Sequence, residues 1–247
     1  MKNYRADLHI HTILSPCGDL SMSPANIISM AARKQIDIIG ITDHNSTRQC
    51  ELVNKLGTEK GIFVMQGAEV TTREEVHCLA FFENTDTLKI FQEYLDANIP
   101  SVQNDPWIFG DQIVVDEDEN IVYSEERLLS NATKISLEKL QSFVYEHNGI
   151  FIPAHIDRFR NSLYSQLGFL PGNLKADALE ISRRSSPAEF AKKHPEINAF
   201  RLITNSDSHY PEHIGIVFNT LFIKEASFKE IKMAFEGIEG RRIISPW

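Results

Sequence analysis

The chain has 247 residues and a formal net charge of −9, with 42% hydrophobic and 24% charged residues. That balance is ordinary for a globular protein with a large core, and it argues against a broad basic surface that tracks duplex DNA. A small anionic substrate stays open, because bound divalent cations would invert the local potential of a cleft. Three cysteines, Cys17, Cys50 and Cys78, are too sparse for a disulfide framework, and no apolar run approaches a membrane span, so a reducing, cytoplasmic location is expected.

In chain order, the sequence predicts strands at Ala6–His11, Ile38–Thr42, Phe63–Val70, His77–Phe82, Gly149–His155, Ala178–Ile181, Arg201–Asn205 and Asn219–Ile223. Between them it predicts helices at Pro24–Lys34, Asn45–Lys60, Asp86–Ala97, Ser136–His147, Pro187–Lys193 and Ser227–Phe235. Ser23-Pro24, and Ser136 with Glu138, read as helix starts. Such alternation implies parallel βαβ units, and this number of strands points to a closed barrel formed by residues 1–247 as one domain. Residues 98–134 break the rhythm. There, DQIVVDEDENIVYSEERLL reads as two short strands around an acidic turn, with six acids and no base from Asp116 to Glu126. This predicts a small β-hairpin inserted over one face of the barrel, its acids solvated, and a candidate lid.

In a strand, residues i and i+2 point to the same side. His9 and His11 in DLHIHTILSPCGD therefore project together, as do Asp207 and His209 in LITNSDSH. Two imidazoles and a carboxylate facing one interior each need a partner that core packing does not provide. Asp43 and His44 close IIGITDHNS, Glu69 lies near the end of VMQGAEVTT, and His155 closes IFIPAHIDR. In a parallel α/β barrel these strand ends form the catalytic face. His77 opens its run in EVHCLAFF, so a bend or a reversed strand would be needed to bring it round. Six histidines and two acids so placed predict a multinuclear site, and nitrogen with carboxylate donors suits zinc, iron or manganese better than calcium or magnesium. His147 fits a helix C-terminus and His194 a charged loop; both, with His213, are expected to be ordinary structural or surface groups. Asp43 is expected to orient a ligand imidazole from behind.

The segments DLHIHTILS, ITDHNS, GAE at Gly67–Glu69, His77, PAHID and NSDSH, in that order over residues 7–209, resemble the polymerase and histidinol phosphatase (PHP) family of metal-dependent phosphoesterases. The resemblance implies a distorted (β/α)7 TIM-like barrel carrying two or three divalent transition metal ions (Zn, Mn or Fe). It implies that His9, His11, Glu69 and Asp207 hold a first metal, that Glu69 bridges to a second held by His77 and His155, and that His44 and His209 hold a third. At the third metal this chain departs from the family pattern. Many members carry an aspartate five residues after the second histidine, where Pro16 stands here, and others a histidine one place later, where Cys17 stands. A thiolate binds zinc or iron well, so Cys17 is the expected substitute and Asp19 the alternative.

On this reading the function is hydrolysis of a phosphomonoester of a small soluble substrate, a nucleoside phosphate or bisphosphate or a phosphorylated metabolite, by a metal-bound hydroxide. Glu69, Asp207 and His209 form the catalytic set, with Asp43 behind them. Arg158, Arg183 and Arg184, which follow strand ends, are the candidate phosphate clamps. A membrane partner and stable binding of long nucleic acid are not expected. Three alternatives stay open: a phosphodiesterase or short-oligonucleotide exonuclease, a non-catalytic metal-binding regulatory module, and an amide or lactone hydrolase.

Overall fold

The computed structural model describes residues 1–247. Its elements are β1 (Lys2–Ile10), α1 (Pro24–Arg33), β2 (Ile38–Ile41), α2 (Cys50–Lys60), β3 (Phe63–Thr71), β4 (His77–Phe82), α3 (Thr85–Asp96), α4 (Pro106–Phe109), β5 (Ile113–Val115), β6 (Ile121–Ser124), α5 (Leu137–Glu146), β7 (Ile150–Pro153), α6 (Leu163–Leu167), β8 (Leu179–Glu180), α7 (Pro187–Lys193), β9 (Leu202–Ile203), β10 (Asn219–Ile223), α8 (Phe228–Glu236) and β11 (Arg242–Ile244). No helix is long and apolar enough to cross a membrane.

Helix starts follow the capping chemistry in the sequence. Ser23, Asn84, Ser136, Ser186 and Ser227 each sit in extended backbone and accept a hydrogen bond from the first helical turn, and Pro24 and Pro187 fill positions where no N–H is needed. The second helix begins at Cys50, five residues later than expected. Asn45 takes a left-handed φ of 49°, and its side chain accepts from Thr71 N (3.0 Å) and donates to the carbonyls of Leu129 (2.6 Å) and Asn131 (2.9 Å). Those bonds hold the backbone out of helix geometry.

The main sheet is mixed, in the order β11-β10-β1-β2-β3-β4-β7. Strands β1, β2 and β3 are parallel, whereas β4 runs antiparallel to both β3 and β7, and β10 and β11 extend the other edge antiparallel. The short parallel pair β8–β9 lies between β7 and β1. One backbone bond joins it to the segment after β7 (Ile156 N to Glu180 O, 2.9 Å). On the other side, Ser208, just past β9, exchanges bonds with His9 and His11 at the end of β1 (3.2 and 3.0 Å). The strands thus curl towards a barrel, but the ring of parallel βαβ units expected from the alternation is not a continuous ladder.

Reversal of β4 has a simple cause. Only residues 72–76 connect it to β3, too few for the crossover that a parallel pair requires. Thr72 N donates to Val76 O (2.9 Å) and Glu75 turns at φ 61° to close a hairpin. His77, the first residue of β4, is thereby brought opposite Thr71, beside the end of β3 that carries Glu69.

Strand alternation sorts the apolar side chains into two buried clusters. Ile38, Met65, Leu79, Phe81, Ile150 and Ile152 pack with Phe228, Ile231 and Phe235 of α8, while their neighbours Ile39, Val64, Ala80 and Phe151 belong to the larger second cluster. The inserted residues hold α4 and the antiparallel hairpin β5–β6. Asp116 shapes the hairpin turn by accepting from the N–H groups of Asp118 and Asn120. Val114 and Val115 are buried, and the Gln49 side chain bonds both the N–H and the carbonyl of Val115, tying the hairpin to the start of α2.

Gly67 marks the tightest point between β3 and β4: a Cβ there would lie 2.0 Å from Ala80 O. Gly67→Ala is expected to destabilise the protein by roughly 1–3 kcal/mol through overpacking, seen as a lower urea midpoint at unchanged slope. An unshifted midpoint would show that the two strands have room to separate.

Candidate metal centre

Glu69 is 1% exposed and lies at the middle of the histidine cluster. Its Oε1 is 2.9 Å from His77 Nδ1, 3.0 Å from His155 Nε2 and 3.4 Å from His9 Nε2; its Oε2 is 3.2 Å from His44 Nδ1 and 3.4 Å from His11 Nε2. Asp207 closes the group, with Oδ1 3.4 Å from both His9 Nε2 and His11 Nε2. Of the residues expected to gather, His9, His11, His44, Glu69, His77, His155, Asp207 and His209 come together, from β1, β2, β3, β4, β7 and the loop after β9.

The field follows from this crowding. Burial works against charge on Glu69, yet His77, His9, His11 and His155 hold its carboxyl well below the usual range. Asp207 behaves likewise, with His9 and His11 outweighing burial. Burial also opposes charge on His9, but Glu180, Asp207 and Glu69 raise it well above its ordinary value. Burial pushes His44 and His77 down, and His209 to about 4, which keeps those rings neutral with a lone pair available.

Groups behind the cluster orient it. Glu180 Oε2 accepts from His9 Nδ1 (3.0 Å), which directs His9 Nε2 at Glu69 and Asp207, and it also accepts from His155 N (3.2 Å). The expected role of Asp43 is relayed: His11 Nδ1 meets Ser15 Oγ (2.9 Å), and Ser15 donates to Asp43 Oδ1 (2.7 Å), which is also fixed by Thr12. An Asn161 side-chain amide nitrogen lies 2.7 Å from His77 Nε2. Composition and motif missed Glu180, Ser15 and Asn161, although a lone acid in the apolar stretch ALEIS was a usable signal for the first.

Divalent ions fit this donor set. Nδ1 of His44, His77 and His155 are buried without a hydrogen-bond partner, a costly state for a polar atom unless something binds there. Three groups have donor atoms mutually within 4.8 Å: His9, His11 and Glu69; His44, Glu69 and His77; and His11, Cys17, His44 and His209. Cys17 opens to solvent at the cleft edge, while burial and the Glu69 and Asp207 carboxylates push its thiol up. Asp19 is turned away, its carboxylate accepting from Ser21 N (2.8 Å).

The cluster floors a cleft of about 800 Å³ that also exposes Arg158, Phe159, Arg160, Arg183, Arg184 and Tyr210. The guanidinium of Arg158 contacts Asp207 Oδ2. His213 lines the cleft as well, whereas His147 caps α5 through Phe143 O (2.9 Å) and His194 packs on Tyr164 and Phe190.

A buried imidazole and carboxylate cluster at the strand ends of a curled α/β sheet defines the class as a metal-dependent hydrolase. Residues 7–156 match the family model of the PHP domain, and the chain belongs to that family. It is 27% identical to YqxK of Bacillus subtilis strain 168 over 276 residues, covering 99% of this chain and 65% of that protein. The lesion-specific endonuclease PfuEndoQ of Pyrococcus furiosus superposes with a TM-score of 0.77 at 22% identity, over 98% of this chain and 58% of that one. A complex of Endonuclease Q with a 27-mer duplex substrate bearing an abasic lesion at the active site superposes with a TM-score of 0.75 at 21% identity, with the same coverage. A two-domain protein of Bacteroides vulgatus containing a predicted PHP-like metal-dependent phosphoesterase gives 0.57 at 16% identity, over 98% and 64%. The chain spans less than two thirds of the length of each of these relatives.

Because Glu180 sets the ring orientation of His9, Glu180→Gln is expected to weaken metal binding ~10–100-fold, measured by competition with a chromophoric chelator. Unchanged affinity would reduce Glu180 to a packing role.

Proposed function

We propose that the chain hydrolyses a phosphoric ester and that the ester is a phosphodiester within a nucleic-acid strand. The observation that carries the first half is the Glu69 carboxylate, buried against five imidazole nitrogens at 2.9–3.4 Å. His9, His11, Glu69 and Asp207 would hold one divalent ion, and Glu69, His77 and His155 a second. Bound there, such ions supply Lewis-acid stabilisation of developing phosphate charge and acidify a water.

The chain's own residues prepare the rest. Glu180 and the Ser15–Asp43 relay keep the His9 and His11 rings aimed at the centre, so no reorganisation is needed as charge develops. Arg158 extends over Asp207 into the cleft, where its planar fork can accept two oxygens of a phosphate. Arg183 and Arg184, which follow β8, and Arg160 offer further positive charge along the same cleft.

Composition favours a small monoester; the local surface favours a strand. Despite a net charge of −9, four arginines line this one cleft, and Phe159, between two of them in sequence, is fully exposed. Tyr210 is 46% exposed on the same cleft. An aromatic face open to solvent among guanidinium groups suits an unpaired base stacked above a tracked backbone. The likeness to Endonuclease Q in complex with a lesion-bearing duplex supports the same reading.

The test sets manganese- or zinc-loaded protein against p-nitrophenyl phosphate, bis-p-nitrophenyl phosphate and oligonucleotides with and without an abasic site. Diester cleavage that disappears in Glu69→Gln is expected. Monoester turnover alone would restore the small-substrate reading, and full metal occupancy without any turnover would favour a regulatory module. In the cleaving protein, Phe159→Ala is expected to weaken oligonucleotide binding by about 1–3 kcal/mol, raising KM more than it lowers kcat. An unchanged KM would remove Phe159 from the strand path.

A further inference from the structure

The four donors furthest from a carboxylate-based site form a group of their own. We propose that His11, Cys17, His44 and His209 make a site of one thiolate and three imidazoles that selects a thiophilic divalent ion of the zinc class, unlike the positions around Glu69. Their donor atoms lie within 4.8 Å of one another, and the group contains no carboxylate, whereas each of the other two groups includes Glu69. The rings of His11 and His209 stack with centroids 4.2 Å apart, and those of His11 and His44 are 4.7 Å apart. His44 is 6% exposed, and its Nδ1 has no hydrogen-bond partner.

The loop bearing Cys17 is held in place. Gly18 N donates to Ser15 O (2.8 Å), and Asp19 N donates to His209 O (3.0 Å), which ties the cysteine loop directly to one of the histidines. Gly18 is packed so closely that a Cβ would lie 2.3 Å from Thr12 O. Asp19, the nearest alternative oxygen donor, is committed to Ser21. A thiolate with three neutral imidazoles matches the tetrahedral nitrogen and sulfur preference of zinc, while carboxylate-rich positions accept harder ions. One thiolate against a divalent ion leaves a net positive site, suited to a phosphate oxygen in the adjoining cleft.

This inference rests on the metal-centre reading but not on the substrate, and its test reads ligation without turnover. The full chain is stripped with a chelator and reloaded with cobalt(II). Wild type is expected to show an intense near-ultraviolet sulfur-to-cobalt charge-transfer band that Cys17→Ser lacks, together with the loss of one ion per chain by elemental analysis. Wild-type protein also provides a control that needs no variant. Cys50 and Cys78 are fully buried and Cys17 is exposed, so iodoacetamide labelling reports on Cys17. Labelling should proceed in stripped protein and be blocked after loading. Cobalt bound to saturation with no charge-transfer band, or labelling indifferent to metal, would overturn the proposal.

Discussion

One carboxylate organises the molecule. Glu69 can be buried at the end of β3 only because imidazoles from four other segments converge on it, and each of those segments is placed by a different piece of the fold. The β3–β4 hairpin delivers His77, the turn after β2 delivers His44, the end of β7 delivers His155, and the end of β1 delivers His9 and His11. A buried carboxylate without such partners would be costly. The apolar clusters fold the scaffold; this polar group dictates which strand ends must meet.

Local backbone strain collects at the same place. His155 and Asp207 take positive φ values of 31° and 50°, and Asn45, beside His44, takes 49°. Left-handed backbone at a residue other than glycine persists only where surrounding bonds overdetermine it. Here they do: Asn45 is pinned by three side-chain bonds, His155 N donates to Glu180, and Ser208 is laced to β1 on the far side of Asp207. Charge is graded outward from this centre. Acids at Glu180 and Asp43 back the histidines, and arginines line the cleft in front of them, so an acidic protein presents a basic entrance to its metal centre.

The donors were legible because metal chemistry admits few residue types and strand periodicity limits where they can stand. His9, His11, His44, Glu69, His77, His155, Asp207 and His209 were all visible as chemistry at the ends of apolar runs. The reversed β4 was foreseeable only as a requirement on His77, and its cause, a connection too short for a crossover, depends on where β3 stops. Glu180 was hidden because a single acid in a two-residue strand has no periodic signature, and Ser15 because its role is to relay a hydrogen bond between His11 and Asp43. The second helix started late because Asn45 bonds to residues far along the chain, which no local propensity encodes.

By itself, then, the sequence determined the kinds of atoms available: imidazole and carboxylate donors at strand ends, a cysteine where relatives carry other ligands, caps at helix starts, and an acidic inserted hairpin. Tertiary structure alone decided which donors share an ion-sized space, that Asp43 acts through Ser15, and that Arg158, Phe159 and Arg160 open onto the same cleft. The physical reason is range. Residue chemistry and periodicity act over a few positions of the chain, whereas the distances that make a metal centre or a strand-binding cleft are set by packing between segments remote in sequence.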